Sequence, residues 1–287
     1  MPSEVKQPFH ALTIDIEDYF QVAAFEKKIQ PGQWDQYPIR VDRNTYRILD
    51  VFDEHQAKAT FFILGWVAER FPELIKEVHR RGHEVASHGF SHTKATVQTP
   101  SEFQQDVSST KQLLEDIIGA EVTGYRAPSF SICAENEWAF ACLKEAGYHY
   151  SSSTYPIRHD HYGTPYWPAE PYLRKEGIWE FPMPILQLKG KQIPIAGGGY
   201  FRLLPYWLSK HLIQRYLKQS QSPYMFYFHP WEIDHQQPRI ADAPLKSRFR
   251  HYVNLKRMET KVAKLLQDFE WNTVQQVFEQ YQNQQQR

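Results

Sequence analysis

The sequence predicts an α/β protein made of parallel β/α units closed or nearly closed into a barrel, on three observations. Its first half alternates short β-rich apolar runs with helical patterns. Four polar features each sit at the carboxyl end of a predicted strand, and in such a barrel those ends share the face where active sites form. The length, 287 residues of which 41% are hydrophobic, supports one large core, as a single domain or as a main domain with an appendage.

Taken in order, Ala11 to Ile16 reads as a strand and is followed by a helix from about Asp42 to His55. A strand at Ala59 to Leu64 contains Thr60-Phe61-Phe62-Ile63. Pro72 in a first turn and Gly82 at a C-cap bracket the next helix, and Glu84 to Ser87 is the next strand. Thr99-Pro100-Ser101-Glu102 is a capping box that opens a helix carrying Phe103, Val107, Leu113, Leu114 and Ile117, with Gly119 as its stop. Val122 to Tyr125, a helix at about Glu135 to Ala146, and Tyr148 to Ser152 continue the pattern. The second half is less regular: aromatic and Pro-rich loops from Tyr155 to Pro184, a turn at Gly197-Gly198-Gly199, a helix near Pro205 to Lys218 and a strand at Tyr224 to Phe228. From about Phe249, the residues Tyr252, Leu255, Val262, Leu265, Leu266 and Phe269 have the spacing of one amphipathic helix that docks on the body. The Gln-rich tail after Tyr281 is expected to fray.

Composition narrows the function. Lys plus Arg and Asp plus Glu number 33 each, so no global charge draws the chain to nucleic acid or to an anionic membrane. Only Cys133 and Cys142 are present, within what reads as one helix, so a disulfide framework is not expected and a reducing compartment is compatible. Met1 to His10 lacks the basic and apolar regions of a secretory signal, and no stretch supplies the roughly 18 to 20 apolar residues of a membrane span. The expected location is cytoplasmic. Aromatic residues at 15% suit a carbohydrate cleft, because flat rings stack on sugar faces, and equally suit a large aromatic core.

The residues with chemistry are the acidic cluster Asp15-Ile16-Glu17-Asp18, the pair His88 and His92, Arg126 and His229. Spacing i, i+4 puts both imidazoles on one face of a helical turn, and two imidazoles with a carboxylate suit a divalent ion, zinc foremost, with positions left open for water and substrate. Alone, such a pair is more often two surface histidines in a polar loop. Its convergence with the other three features on one rim argues for catalysis.

In order along the chain, Thr13-Ile14-Asp15-Ile16-Glu17-Asp18, Ser87-His88-Gly89-Phe90-Ser91-His92, Arg126-Ala127-Pro128-Ser129-Phe130 and Phe228-His229-Pro230-Trp231 resemble the motifs of the polysaccharide deacetylases, the carbohydrate esterase family 4 or NodB-homology group. The resemblance runs from about residue 10 to 235. Asp-Ile-Glu-Asp-Tyr-Phe, with His251-Tyr252-Val253-Asn254-Leu255 in the tail, further resembles the subgroup found with exosortase-type exopolysaccharide clusters, which carries an extra C-terminal domain of unassigned function. It implies a distorted parallel (β/α) barrel over residues 8–235, a C-terminal helical extension over 236–287, and metal-dependent removal of N-acetyl groups from amino sugars of a polysaccharide or its precursor. The sequence does not set the oligomeric state.

In the mechanism this resemblance implies, a metal on His88, His92 and Glu17 or Asp18 lowers the pKa of a water from about 15.7 toward ~7 and polarises the acetyl carbonyl. Asp15 is the general base, His229 the general acid, and Arg126 fixes and ionises Asp15. Pro128, Ser129, Phe130 and Trp231 would shape the substrate cleft, with Glu232, Asp234 and His235 at its mouth. Two departures matter. The family places its two acids side by side, whereas Glu17 and Asp18 lie two and three positions after Asp15. Asp15 and Glu17 share a strand face and Asp18 begins a turn from which it is free to swing, so the ligand stays open between them. The family's fourth motif, an acid that orients the arginine, is replaced around Ser151-Ser152-Ser153, which leaves the partner of Arg126 open. Rival functions are another C–N hydrolase of the same barrel, allantoinase-like, and a catalytically silent carbohydrate-binding protein.

Overall fold

A computed structural model describes residues 10–158, 163–188 and 190–285. The first strand, β1 (His10–Ile16), is buried at all seven positions, as a strand covered on both faces must be. That burial singles out Thr13 and Asp15 as polar side chains with interior partners. After it come α1 (Val41–Glu54), β2 (Thr60–Ile63) and α2 (Gly65–Arg70), then α3 (Pro72–Arg80), β3 (Glu84–Ser87), α4 (Pro100–Ile118) and β4 (Gly124–Tyr125). The capping box forms as expected: Glu102 N–H donates to the Thr99 hydroxyl, Thr99 N–H donates to the Glu102 carboxylate, and Gly119 ends α4 in the left-handed conformation.

The run continues with α5 (Ala139–Glu145), β5 (Tyr150–Ser151), β6 (Tyr172–Leu173), β7 (Trp179–Glu180), β8 (Ile185–Leu188) and β9 (Lys191–Pro194). Cys133 lies before α5 at the start of a separate 3-10 turn, so the two cysteines do not share one helix. The glycine triplet is not a turn. Gly197 caps α6 (Gly198–Leu203), whose first residue sits too close to the Glu232 carboxylate for any side chain. Next are α7 (Tyr206–Gln219) and β10 (Met225–Phe228). The expected single C-terminal helix is three helices and a strand: α8 (Leu245–Tyr252), α9 (Leu255–Asp268), β11 (Trp271–Asn272) and α10 (Val274–Gln285). Val253 is extended and Asn254 is left-handed at φ +54°, which breaks the helical path although the apolar spacing runs through. The Gln-rich tail, expected to fray, is helical to Gln285. The N-terminal stretch Met1 to Phe9 lies outside the described residues.

The sheet is curled, with order β10-β1-β2-β3-β4-β5-β7-β6 and β11 added beside the start of β1. Within this sheet every pairing is parallel except β6 with β7, as the alternation of strands and helices requires, and β8 and β9 form a separate antiparallel pair. It is a parallel half-barrel; among the described residues no strand pairing joins β10 to β6. The C-terminal segment docks on its amino end. There Val274 N–H donates to the Thr60 hydroxyl at 2.7 Å and Gln275 N–H to Glu84 at 3.0 Å, while Tyr150 O–H donates to the same Glu84 carboxylate at 2.6 Å. The carboxyl end of the sheet carries the chemistry. No helix among the described residues is long and apolar enough to cross a membrane.

Gly124, two residues before Arg126, lets β4 pass the Tyr150 ring, where a Cβ would stand 2.2 Å from the phenol. Gly124→Ala is expected to destabilise the fold by about 1–3 kcal/mol through overpacking, read as a lower denaturation midpoint at unchanged slope.

Candidate active site

The period of a strand places Thr13, Asp15 and, just past β1, Glu17 on one side. Arg126 follows β4, fully buried, and its fork is met from three directions. Nη1 donates to Asp15 at 2.6 Å and to the Thr13 hydroxyl at 2.9 Å, Nε donates to the Ser152 carbonyl at 3.2 Å, and Nη2 donates to the Ser152 hydroxyl at 3.1 Å. The guanidinium also lies 4.1 Å from the centre of the Phe62 ring. No acid from the serine stretch orients it. Ser152 does so directly, and buried Glu180 holds the backbone there by accepting from Ser153 N–H at 2.8 Å and Thr154 N–H at 2.9 Å.

His88 and His92 are brought together by a loop, not by a helical turn. Gly89 at φ +72° and His92 at φ +53° fold it back on itself, and a left-handed histidine is a strained residue of the kind held at functional sites. The loop is gripped by α2, a helix the hydrophobic pattern did not announce. Gly65 N–H donates to the Gly89 carbonyl at 2.9 Å and Trp66 N–H to the Phe90 carbonyl at 3.0 Å. Asp106 from α4 accepts Phe90 N–H at 2.8 Å. The two imidazole centres end 5.3 Å apart.

Donor atoms of Glu17, His88 and His92 all lie within 4.8 Å of one another, the spacing of a three-ligand metal site. The surroundings fit a divalent ion. His88 is buried, which lowers its pKa to about 4 and leaves it neutral at physiological pH. Its Nδ1 lies 2.8 Å from the Arg126 carbonyl, which can only accept, so Nδ1 carries the proton and the Nε2 lone pair is free to bind. Burial works against a charge on Glu17, but His92, His229 and His88 together hold its pKa at about 2. Its Oε2 is 2.9 Å from His92 Nε2 without a well-formed hydrogen bond, a convergence of two electron-pair donors that suits an ion. Trp231 Nε1–H donates to the other Glu17 oxygen at 3.3 Å.

Asp18 is not in this group. Its carboxylate accepts Arg40 N–H at 2.5 Å, Val41 N–H at 2.8 Å and Tyr19 N–H at 2.8 Å, capping α1, which has no cap from its own N-terminal residue. Burial outweighs these bonds and raises its pKa to about 6.

His229 follows β10 and faces the carboxylates, with Nε2 3.4 Å from Glu17 and 4.0 Å from Asp15. Burial opposes its charge, yet Glu17, Glu232 and Asp15 raise its pKa to about 9. Of the expected cleft residues, Pro128 and Phe130 are buried, Phe130 against Tyr227 and the Arg126 guanidinium, and Ser129 alone keeps partial exposure. Ser129 and Phe130 are both left-handed, at φ +56° and +49°. Trp231 is buried between the rings of His229 and His251 rather than open to a cleft. Asp234, expected at the mouth, instead pairs with Arg40 and Arg43, each at 3.0 Å. Glu232 is likewise buried, while His235 is exposed. Sequence reasoning placed Ser152 only in the stretch that replaces an acidic motif and Glu232 only at the cleft mouth, and it missed Thr13, Arg202 and His251 as neighbours of the site. Only Glu232 had a usable signal, its place three residues after His229, as in a capping box.

Residues 32–151 match the polysaccharide deacetylase family model, and residues 152–279 match a domain of unknown function, DUF3473. A peptidoglycan-N-acetylglucosamine deacetylase of Bacillus cereus is 33% identical over 104 residues, 36% of this chain and 47% of that protein. A peptidoglycan deacetylase of Helicobacter pylori is 34% identical over 82 residues, 29% of this chain and 28% of that protein. The chain thus spans about half or less of the length of these curated relatives. The crystal structure of a putative polysaccharide deacetylase from Mycobacterium smegmatis superposes with a TM-score of 0.61 at 18% identity, covering 96% of this chain and 90% of that one, which shows a shared fold.

Proposed function

We propose, for a chain whose residues 32–151 match the polysaccharide deacetylase family model, a zinc-dependent hydrolase that removes N-acetyl groups from amino sugars of a polysaccharide or its precursor, in exopolysaccharide synthesis. The observation that carries this reading is the cluster of Glu17, His88 and His92 beside the Asp15–Arg126 pair and His229 on one rim. Two imidazoles and one carboxylate would hold the ion, and a catalytic zinc supplies an activated water and polarises the scissile carbonyl.

The protein's own groups would do the rest. Asp15, fixed in place by the 2.6 Å hydrogen bond from Arg126, would take a proton from the attacking water as general base. His229 presents Nε2 to the same space and gives a proton to the departing amine. Each transfer is typically worth about 10²–10⁴-fold in rate. Neutral His88 binds without first losing a proton, and the buried setting of Asp15 and Arg126 keeps both fixed through the reaction. A cytoplasmic location, which we also propose, favours a precursor over a finished extracellular polymer; finding the protein outside on cell fractionation would overturn it.

The test is acetate release from N-acetylglucosamine oligomers by the purified protein, after chelation and after zinc is restored. Release that is lost and then regained supports the reading. Full release after exhaustive chelation overturns metal dependence, and bound sugar without release points to a silent binder.

A further inference from the structure

The acid side of the site is built by residues outside the polysaccharide deacetylase match. We propose that Glu232, gripped by Arg202, is the positioning residue of His229, and that the segment of unknown function therefore serves to build and orient the general-acid half of the active site. This rests on the function proposed above.

The geometry is continuous. Glu232 Oε1 lies 2.8 Å from His229 Nδ1 and accepts the His229 backbone N–H at 3.1 Å, while its Oε2 accepts Arg202 Nε–H at 2.7 Å. An ionised carboxylate only accepts, so Nδ1 of His229 carries a proton and the ring is fixed with Nε2 toward Glu17 and Asp15. Glu232 is 1% exposed and Arg202 2% exposed, so water replaces neither partner. The other donors of Arg202 grip the end of α8: Nη1 donates to the carbonyls of His251 at 2.7 Å and Val253 at 2.9 Å, and Nη2 donates to that of Arg250 at 3.1 Å. Those are carbonyls a helix end leaves without intrahelical partners.

Two further features belong to the same device. His251 lies 4.1 Å from the Trp231 ring at an interplanar angle of 13°, and Trp231 in turn stacks on His229 at 18°, so the ring of His229 is backed by two planar groups. Gly198 keeps space for the Glu232 carboxylate, since a Cβ there would come within 2.3 Å of its oxygen. All of these residues fall between 198 and 254, within the match to the domain of unknown function at 152–279. A pair serving the fold alone has no need of the third member. Here the carboxylate is shared between the arginine and the ring that faces the base.

The experiment uses the full chain loaded with zinc, in the wild type and in Glu232→Ala and Glu232→Gln. With N-acetylglucosamine oligomers, Glu232→Ala is expected to lower kcat about 100-fold, with KM and zinc content unchanged. Glu232→Gln should regain part of that loss, because its amide oxygen still accepts Nδ1–H. Nitrogen NMR of labelled His229, at a pH where its ring is neutral, gives a readout that does not depend on turnover: Nδ1 should keep the proton in the wild type and lose that preference in Glu232→Ala. If Glu232→Ala does not fold, Glu232→Gln carries both measurements, and a kcat reduced by less than in proportion to that of a lost acid is its expected result. A wild type with unprotonated Nδ1 overturns the proposal, as does a folded Glu232→Ala with kcat within about threefold of wild type. A wild type that releases no acetate overturns the function proposed above, and the NMR result still decides the positioning.

Discussion

The His88→Ala protein is expected to hold no zinc after dialysis and to release no acetate, whatever zinc is added back. Of the three proposed ligands His88 is the best prepared by its surroundings: buried, neutral and oriented through Nδ1 by the Arg126 carbonyl. Without it Glu17 and His92 alone remain of the three converging donors, fewer protein ligands than a catalytic zinc ordinarily has. The fold should survive, because the lost hydrogen bond leaves one buried carbonyl unpaired, at about 1–3 kcal/mol. Metal analysis beside the acetate assay checks this, and a variant with one zinc per chain would remove His88 from the site. Asp18→Ala is the contrasting change. Its carboxylate caps α1, so that variant should keep zinc and lose about 1 kcal/mol of stability.

That contrast also marks where the sequence stopped being informative. Strand periodicity and the punctuation after each strand are local, so Asp15, His88, Arg126 and His229 could be placed on one rim from the chain alone. The choice between Glu17 and Asp18 was not local. It turned on α1 beginning at Val41 without a cap of its own, 23 residues from the carboxylate that supplies one. The i, i+4 histidines have helical spacing, yet a loop with two left-handed residues brings the same rings together, and its anchorage on α2 left no mark in the hydrophobic pattern. The partner of Arg126 was hidden for a different reason. Half of it is the Ser152 main-chain carbonyl, which any residue type could supply, and the acid that steadies that turn, Glu180, is 28 residues further along the chain. Arg202 was hidden behind a glycine run that reads as a turn until Glu232 is seen to need the space.

Replacing Asp15 separates catalysis from stability. Asp15→Asn is expected to lower kcat by about 10²–10⁴-fold while zinc stays bound, because Asn cannot take the proton but keeps an oxygen for Arg126. Asp15→Ala should lose the same activity and also about 3–5 kcal/mol of stability, since it strands a guanidinium that is fully buried. The Thr13 hydroxyl and Ser152 are already engaged with Arg126, and neither carries the missing negative charge. Denaturant titration of both variants, with zinc content measured beside kcat, checks the pair of expectations. Wild-type stability in Asp15→Ala would mean that the Asp15–Arg126 contact contributes little to the fold. Near wild-type turnover in Asp15→Asn would move the base to another group, and Glu17, 3.4 Å from His229, would then have to be freed from the metal to serve.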